Sequence, residues 1–527
     1  MLKRFKSIKY GFLLAIAILI TVAIAQSAIP AERIDFNYSL LGFNLKVKDL
    51  ESFAKDGKVS NSLNFYLKRI SPQQTTQLQK FLQQSYDVDP VLVYRYSRTS
   101  VGIRMLQRIG EIIQLPGYLN GFYGLRAAVV QTAASAEGIN LVDFLKRFPT
   151  DIQLNLEELL KLVKQVADAE ANTKDFIAGL EDNRPGAKFD SKNVPEFSQL
   201  GVYKTSKQTL EFYDRTRDRN LVTDLYLPQG KTDTIPVIVV SNGLGAKRDR
   251  FDELANYLTS YGFGVVIPDH PGSDRYRQKA FLKGLYQENF DATDFIDRPL
   301  DISYILDELE QINQKNGNNQ LNLKQVGLFG YSIGGTTALS LAGAEIDFEQ
   351  LEQACAQPLN LLNISILYQC RALELPRQKH SLKDERIQAA FMFVPFGNSI
   401  FERETLAKIS IPIMWQVVDR DFLTSLLKEQ VPLFEALKSG DRYLVISQNL
   451  PHSNVTLSNE QRSSQAKAFE VAKIYQNILS LVFFQNYLAG NKQYQPYLSS
   501  EYIQAIEQEP YELHLIEPTS PLRDMSD

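Results

Sequence analysis

Along the first third of the chain, apolar residues recur at helical spacing; further on they bunch into short runs of strand length. Val47 to Ala54 carries Leu50 and Phe53 three apart, and Ser60 to Ile70 carries Leu63, Tyr66 and Leu67. Gln79 to Tyr86, Ile103 to Ile113 and Leu125 to Ala134 repeat the pattern, and Asn155 to Ala169 is amphipathic through Leu159, Leu160, Val163 and Val166. Ser71-Pro72 reads as an N-cap followed by proline at the first helical position. This predicts a mainly helical N-terminal domain over residues 32–181. The polar, turn-rich stretch 182–195 (DNRPGAKFDSKNVP) then reads as a linker.

Beyond the linker the period changes. Gln208 to Tyr213 and Leu221 to Leu227 read as paired strands. Buried-strand runs follow at Pro236–Val240, Gly264–Ile267, Val326–Phe329, Ala389–Val394, Pro412–Val418 and Tyr443–Ile446, most of them followed by a helical pattern. Such alternation predicts an α/β domain over residues 196–490, a mostly parallel sheet with helices on both faces. Insertions interrupt it near 274–299, a candidate lid over the substrate with a plain surface excursion as the safer reading, and near 346–385. Residues 491–527 read as a C-terminal tail that packs on the sheet, with His514 beyond the strands.

The first residues change the picture of where the protein works. Lys3, Arg4, Lys6 and Lys9 precede an apolar run from Gly11 to Ala25, and Ala23-Ile24-Ala25 offers a cleavage site. This is the layout of a signal peptide, taken as residues 1–31, with an uncleaved anchor as the alternative. The expected location is therefore exported, periplasmic or secreted. Two cysteines, Cys355 and Cys370, lie close together inside the second insertion, and export makes a disulfide the expected state. Apolar content of 44% and charged content of 22% are ordinary for a globular protein of 527 residues. A formal charge of −4 without a basic run argues against nucleic acid as a partner. With two cysteines and no clustered histidines, neither a metal nor another cofactor is expected.

The chemistry centres on Gly330-Tyr331-Ser332-Ile333-Gly334, between an apolar run and a small-residue helix start. A strand, a sharp turn and a helix around G-x-S-x-G form a nucleophile elbow, which exposes the serine hydroxyl and leaves the next N–H at a helix N-terminus. A phosphate-loop reading of Gly330 to Gly335 fails because Thr336 stands where a lysine is needed. Serine needs a base. Of four histidines, His270 comes too early in the chain, and His380 lies in a charged run ahead of a strand. His452, just after the last parallel-strand run, is assigned as the base. The acid should end the preceding strand, where Asp421 is favoured and Asp419 competes. The loop Ser241-Asn242-Gly243-Leu244-Gly245 offers the Leu244 N–H as an oxyanion donor beside the Ile333 N–H. This reading requires Ser332 Oγ within hydrogen-bond reach of the His452 ring.

The run SNGLGAKRDRFDELANYLTSYGFGVVIPDHPGSD, followed by GYSIGG, resembles the α/β-hydrolases similar to platelet-activating-factor acetylhydrolase. Asn242 stands where those enzymes carry histidine, and the strand after the elbow ends in Phe393-Val394-Pro395-Phe396 with no acid. Asp421 instead matches the position that most α/β-hydrolases use. The segments LLGFNLKVKDLESFAKDGKVS, RIGEII, GLRAAVVQTAA and FLKRFPT resemble a group of exported cyanobacterial hydrolases whose helical N-terminal domain has no assigned function. The resemblance implies the α/β-hydrolase fold and its triad and is silent on the substrate. The elbow and the single well-placed histidine point to a carboxylic ester hydrolase. Export with the candidate lid points to a lipid or other small acyl ester and to association at a membrane surface. A peptidase of the same fold, or a non-catalytic binding protein using the helical domain, is the competing expectation.

Overall fold

The computed structural model describes residues 30–38, 41–181, 196–315, 320–450, 452 and 462–517. The expected leader and linker lie outside the described residues, apart from Pro30 and Ala31. The chain divides into two compact units, Met1–Ser97 with Leu106–Leu162, and Arg98–Met105 with Val163–Asp527.

The first unit carries helices at most of the expected runs but is not only helical. The run Gln79 to Tyr86 ends in the strand Ser85–Tyr86, and the helix Leu156–Glu181 belongs to this unit only as far as Leu162. Strands Arg33–Tyr38, Leu41–Lys46, Ile152–Leu154 and Ile113–Gln114 build a four-stranded sheet, and Ser85–Tyr86 pairs with Ile139–Asn140. Several of these strands are only two or three residues long, too short for periodicity to register. Val47, Leu50, Phe53, Leu63, Leu125 and Phe148 form the core of this unit. Helix Pro72–Gln83 starts as its sequence dictates: Ser71 Oγ accepts the Gln74 N–H at 3.1 Å, and Gln74 Oε1 accepts the Ser71 N–H at 2.9 Å.

The second unit is built on a nine-stranded sheet. Its strands are β1 (Thr205–Asp214), β2 (Arg219–Pro228), β3 (Ile235–Ser241), β4 (Gly264–Pro268), β5 (Leu321–Tyr331), β6 (Ile387–Phe393), β7 (Ile413–Val418), β8 (Arg442–Ser447) and β9 (Leu513–Ile516). The order across the sheet is β9-β8-β7-β6-β5-β3-β4-β2-β1. From β8 to β4 neighbouring strands are parallel, and the pairs β4/β2, β2/β1 and β8/β9 are antiparallel. The tail thus supplies an edge strand, and His514 lies within it, 3% exposed, rather than beyond the sheet.

Side chains alternate between two buried faces. Val237 and Val239 of β3 join the core that includes Ile302, Leu306 and Leu339, whereas Ile238 and Val240 join the one with Leu258 and Phe483. Full burial of each such side chain stabilises the fold by about 1.5–3 kcal/mol. The central parallel strands all end on the same side of the sheet, where ligand sites of open α/β sheets form. Among the described residues, no helix is long and apolar enough to cross a membrane.

Candidate active site

At the end of β5 the chain turns sharply into helix α1 (Ile333–Ala342), with Ser332 as its N-cap at φ 53° and ψ −120°. A positive φ is rare for a residue with a side chain and costs on the order of 1–3 kcal/mol. The Ser332 N–H donates to the Phe393 carbonyl (2.9 Å), and the Ser332 carbonyl accepts the Gly335 N–H (2.8 Å). A Cβ on Gly330 would collide with the Gly334 carbonyl, and one on Gly334 with the Ser241 carbonyl. The two glycines of the motif therefore allow a close approach that no other residue permits.

β7 ends at Val418, and the loop beyond it holds Asp421, which is 6% exposed. Asp421 Oδ2 lies 2.5 Å from His452 Nδ1 and accepts the Thr424 hydroxyl at 2.5 Å. Oδ1 accepts the N–H groups of Leu423 (2.8 Å) and Thr424 (3.0 Å). Burial pushes the Asp421 carboxyl up, but the His452 ring and the Thr424 donors outweigh it and hold the pKa below the usual carboxylate range. An ionised Asp421 accepts a hydrogen bond from Nδ1–H of the His452 ring, which leaves Nε2 as the acceptor. Asp419 instead accepts the Asn449 N–H (3.0 Å) and stands 3.6 Å from Arg420.

Ser332 and His452 line one cavity of about 310 Å³, together with Leu244, Arg250, Tyr331, Ser365, Tyr368, Phe396, Leu423 and Thr424. Among the described residues, no hydrogen bond joins Ser332 Oγ to the His452 ring. Ile333 opens a helix, so its N–H lacks an intrahelical acceptor, and Leu244 borders the same cavity.

Two groups that hold the site were not singled out in the sequence. The Tyr331 hydroxyl donates to the His452 carbonyl at 3.0 Å, and its ring stacks on Phe393 with centroids 5.7 Å apart. It occupies the free position before the serine in G-x-S-x-G, which carries no signal of its own. The second group is Arg298 on helix α2 (Asp294–Lys315), which has no exposed surface. Its guanidinium donates to the Asn242 carbonyl (2.6 Å) and to Ser273 Oγ (2.9 and 2.6 Å), and it pairs with Asp294 (3.3 Å). The Ser273 carbonyl in turn accepts the Gly245 N–H at 2.7 Å. Arg298 and Ser273 thus hold both ends of the loop that presents the Leu244 N–H. The spacing Asp294, Arg298 in a helical run was the available signal.

The insertions exchange roles relative to expectation. Residues 274–299 form helix Arg275–Leu282 and the buried start of α2, and none of them lines the cavity. Residues 346–385 do reach it, through Ser365 and Tyr368. Cys355 and Cys370 are joined by a disulfide, and the N–H groups of Ile364 and Ser365 donate to the carbonyls of Phe422 (3.0 Å) and Leu423 (2.7 Å). The bridged segment is therefore fastened to the loop that carries Asp421. His270 is buried beside Ser241 Oγ (3.0 Å), and burial, then Arg298 and Arg219, hold it well below the usual histidine range. Among the described residues, no group of acidic, histidine or cysteine side chains could hold a metal ion.

The sheet and the elbow are those of the α/β-hydrolase fold, which implies a hydrolase. A family model described as alpha/beta hydrolase fold matches residues 236–348, the segment from β3 through the elbow. A second, described as alpha/beta hydrolase of unknown function (DUF1400), matches residues 30–155 in the N-terminal part. No curated protein matches the chain.

Proposed function

We propose that the protein is a serine hydrolase that cleaves carboxylic esters through an acyl-enzyme. The observation that carries this reading is the buried Asp421–His452 contact at the wall of a cavity that also holds Ser332, poised at positive φ on a helix N-terminus. Ser332 Oγ attacks the ester carbonyl while His452 Nε2 takes its proton, and Asp421 stabilises the imidazolium. The N–H groups of Leu244 and Ile333 receive the oxyanion. Collapse of the tetrahedral intermediate releases the alcohol with the proton from His452, and water repeats the cycle on the acyl group.

The proposed substrate is a lipid or other small acyl ester, in keeping with the leader-like first residues and with Leu244, Phe396 and Leu423 on the cavity wall. Export, with the mature chain working at or near a membrane surface, follows from the leader-like first residues. A fluorophosphonate probe tests the mechanism: one equivalent should bind the wild type and none should bind Ser332→Ala. A folded wild type that takes no label would overturn it.

A further inference from the structure

Half of the residues that line the catalytic cavity are aromatic or aliphatic, and among the described residues Arg250 is the one arginine or lysine on its wall. Arg250 belongs to the basic stretch Lys247-Arg248-Asp249-Arg250, which follows the loop of Leu244. Its neighbours are already paired. Lys247 stands 3.5 Å from Asp249, and Arg248 pairs with Asp224 (3.1 Å) and Asp269. Arg250 has no carboxylate within 4.0 Å among the described residues. The nearby carboxylates are engaged elsewhere: Glu253 pairs with Lys473 at 2.7 Å, and Asp421 is bound by His452 and Thr424.

The backbone beneath Arg250 is fixed. Residues Arg248–Phe251 form a 3-10 turn, and the buried Phe251 anchors it against Phe329 and Tyr331, with ring centroids 5.3 and 5.9 Å away. The guanidinium carbon lies 4.6 Å from the centroid of the Tyr331 ring. A guanidinium over an aromatic face keeps its N–H edge available for a carboxylate or phosphate, which it grips with two parallel hydrogen bonds. Arg250 is exposed at the edge of the cavity, so its charge attracts an entering anion but is screened by salt.

We propose that Arg250 is a specificity residue that selects esters carrying a negative charge, a carboxylate or a phosphate, alongside the bond to be cut. The inference rests on the reading of Ser332 as the nucleophile. The apolar part of the ester packs against Leu244, Phe396 and Leu423, and its anion lies at the Tyr331 side under Arg250. A cavity of about 310 Å³ suits a compact ester rather than a long chain.

Two pairs of substrates test this. In the first, the acyl group carries the charge: the 4-nitrophenyl hemiester of glutaric acid against 4-nitrophenyl hexanoate. In the second, the alcohol part carries it: dihexanoyl phosphatidic acid against dihexanoylglycerol, both kept monomeric. The wild type should show a kcat/KM ratio, anionic over neutral, of about tenfold or more in at least one pair. That ratio should fall towards one in Arg250→Gln, persist in part in Arg250→Lys, and shrink for the wild type in about 0.5 M salt. Arg250 is exposed, so the variants should melt with the wild type, which checks their folding. Ratios near one in both pairs, or a preference that survives in Arg250→Gln, would overturn the assignment while leaving the esterase reading intact. Failure to hydrolyse any of the four esters, together with no fluorophosphonate labelling, would overturn both.

Discussion

Arg298 Nη1 donates to the main-chain carbonyl of Asn242 across 2.6 Å, and that guanidinium is fully buried. The bond matters because Leu244 follows two residues later. A loop that offers an N–H to a developing oxyanion must be rigid before the charge appears. Removing the arginine leaves Asp294 without its buried partner, so Arg298→Met should lose about 3–5 kcal/mol of unfolding free energy in urea titrations. Ser273→Ala is the milder probe. It should fold and bind ester with little change in KM, while kcat falls by about tenfold. A larger change in KM than in kcat would place Ser273 in substrate binding instead.

The contrast between Asp421 and Asp419 gives a second expectation. Asp421→Asn leaves His452 Nδ1 facing an amide, which favours the wrong tautomer and should lower kcat by about 10⁴-fold. Asp419, whose carboxylate serves the Asn449 N–H, should cost less than about tenfold as Asp419→Asn. Steady-state kinetics on one chromogenic ester compares the two directly. Equal losses would remove the distinction.

The disulfide closes a loop whose ends are 15 residues apart in sequence. Loop entropy alone makes such a bridge worth about 3 kcal/mol, so Cys355→Ser with Cys370→Ser should lower the melting temperature measurably. Ile364 and Ser365 lie inside that loop and hold the main chain at Phe422 and Leu423. The double variant should therefore raise KM for esters as the cavity wall loosens. A variant with lower stability but unaltered KM would show that the bridge supports the fold only.

Buried His270 should couple stability to pH. Its folded pKa lies well below the ordinary 6.5, so near pH 6 the unfolded chain takes up a proton that the folded one refuses. The histidine's contribution is then complete above about pH 6.5 and shrinks as pH falls, by at most about 1.4 kcal/mol per unit. Asp269 and Asp294, each pushed up to about 6 by burial, act with the opposite sign, because their protonated forms favour the folded state. Comparing wild type with His270→Gln subtracts the carboxyls to first order. The stability difference between them should turn against the wild type on going from about pH 7.5 to 5.5, read from urea midpoints. A difference independent of pH would exclude the coupling.

Much of the second unit is legible from apolar runs alone. The buried strands there are short, largely apolar blocks in which valine, isoleucine and leucine mix with alanine, methionine and aromatic residues, because a central parallel strand must be apolar on both faces. The first unit is less so. Arg33–Tyr38 and Leu41–Lys46 do alternate, with Ile34 and Phe36, then Leu41, Phe43 and Leu45, two apart, a strand signal that the helical reading passed over. Ile113–Gln114, by contrast, has two residues and leaves no period to read. Residues 274–299 interrupt the strand-and-helix alternation, so they read as a lid or a surface excursion. Yet Asp294 and Arg298 cancel one another in the interior, and a charge bought off by its partner looks in sequence like a solvated one.

By itself, the amino-acid sequence determined the strand blocks, the elbow around Ser332 and the short separation of Cys355 from Cys370, since each depends on residues close together in the chain. Tertiary structure alone decided that Asp421 rather than Asp419 meets His452, that the bridged insertion walls the cavity, and that Arg298 holds the loop before Leu244. Those choices turn on the direction of a side chain after the loops have packed. Periodicity governs which face of an element is buried, and it is silent on where a loop carboxylate or a buried guanidinium points.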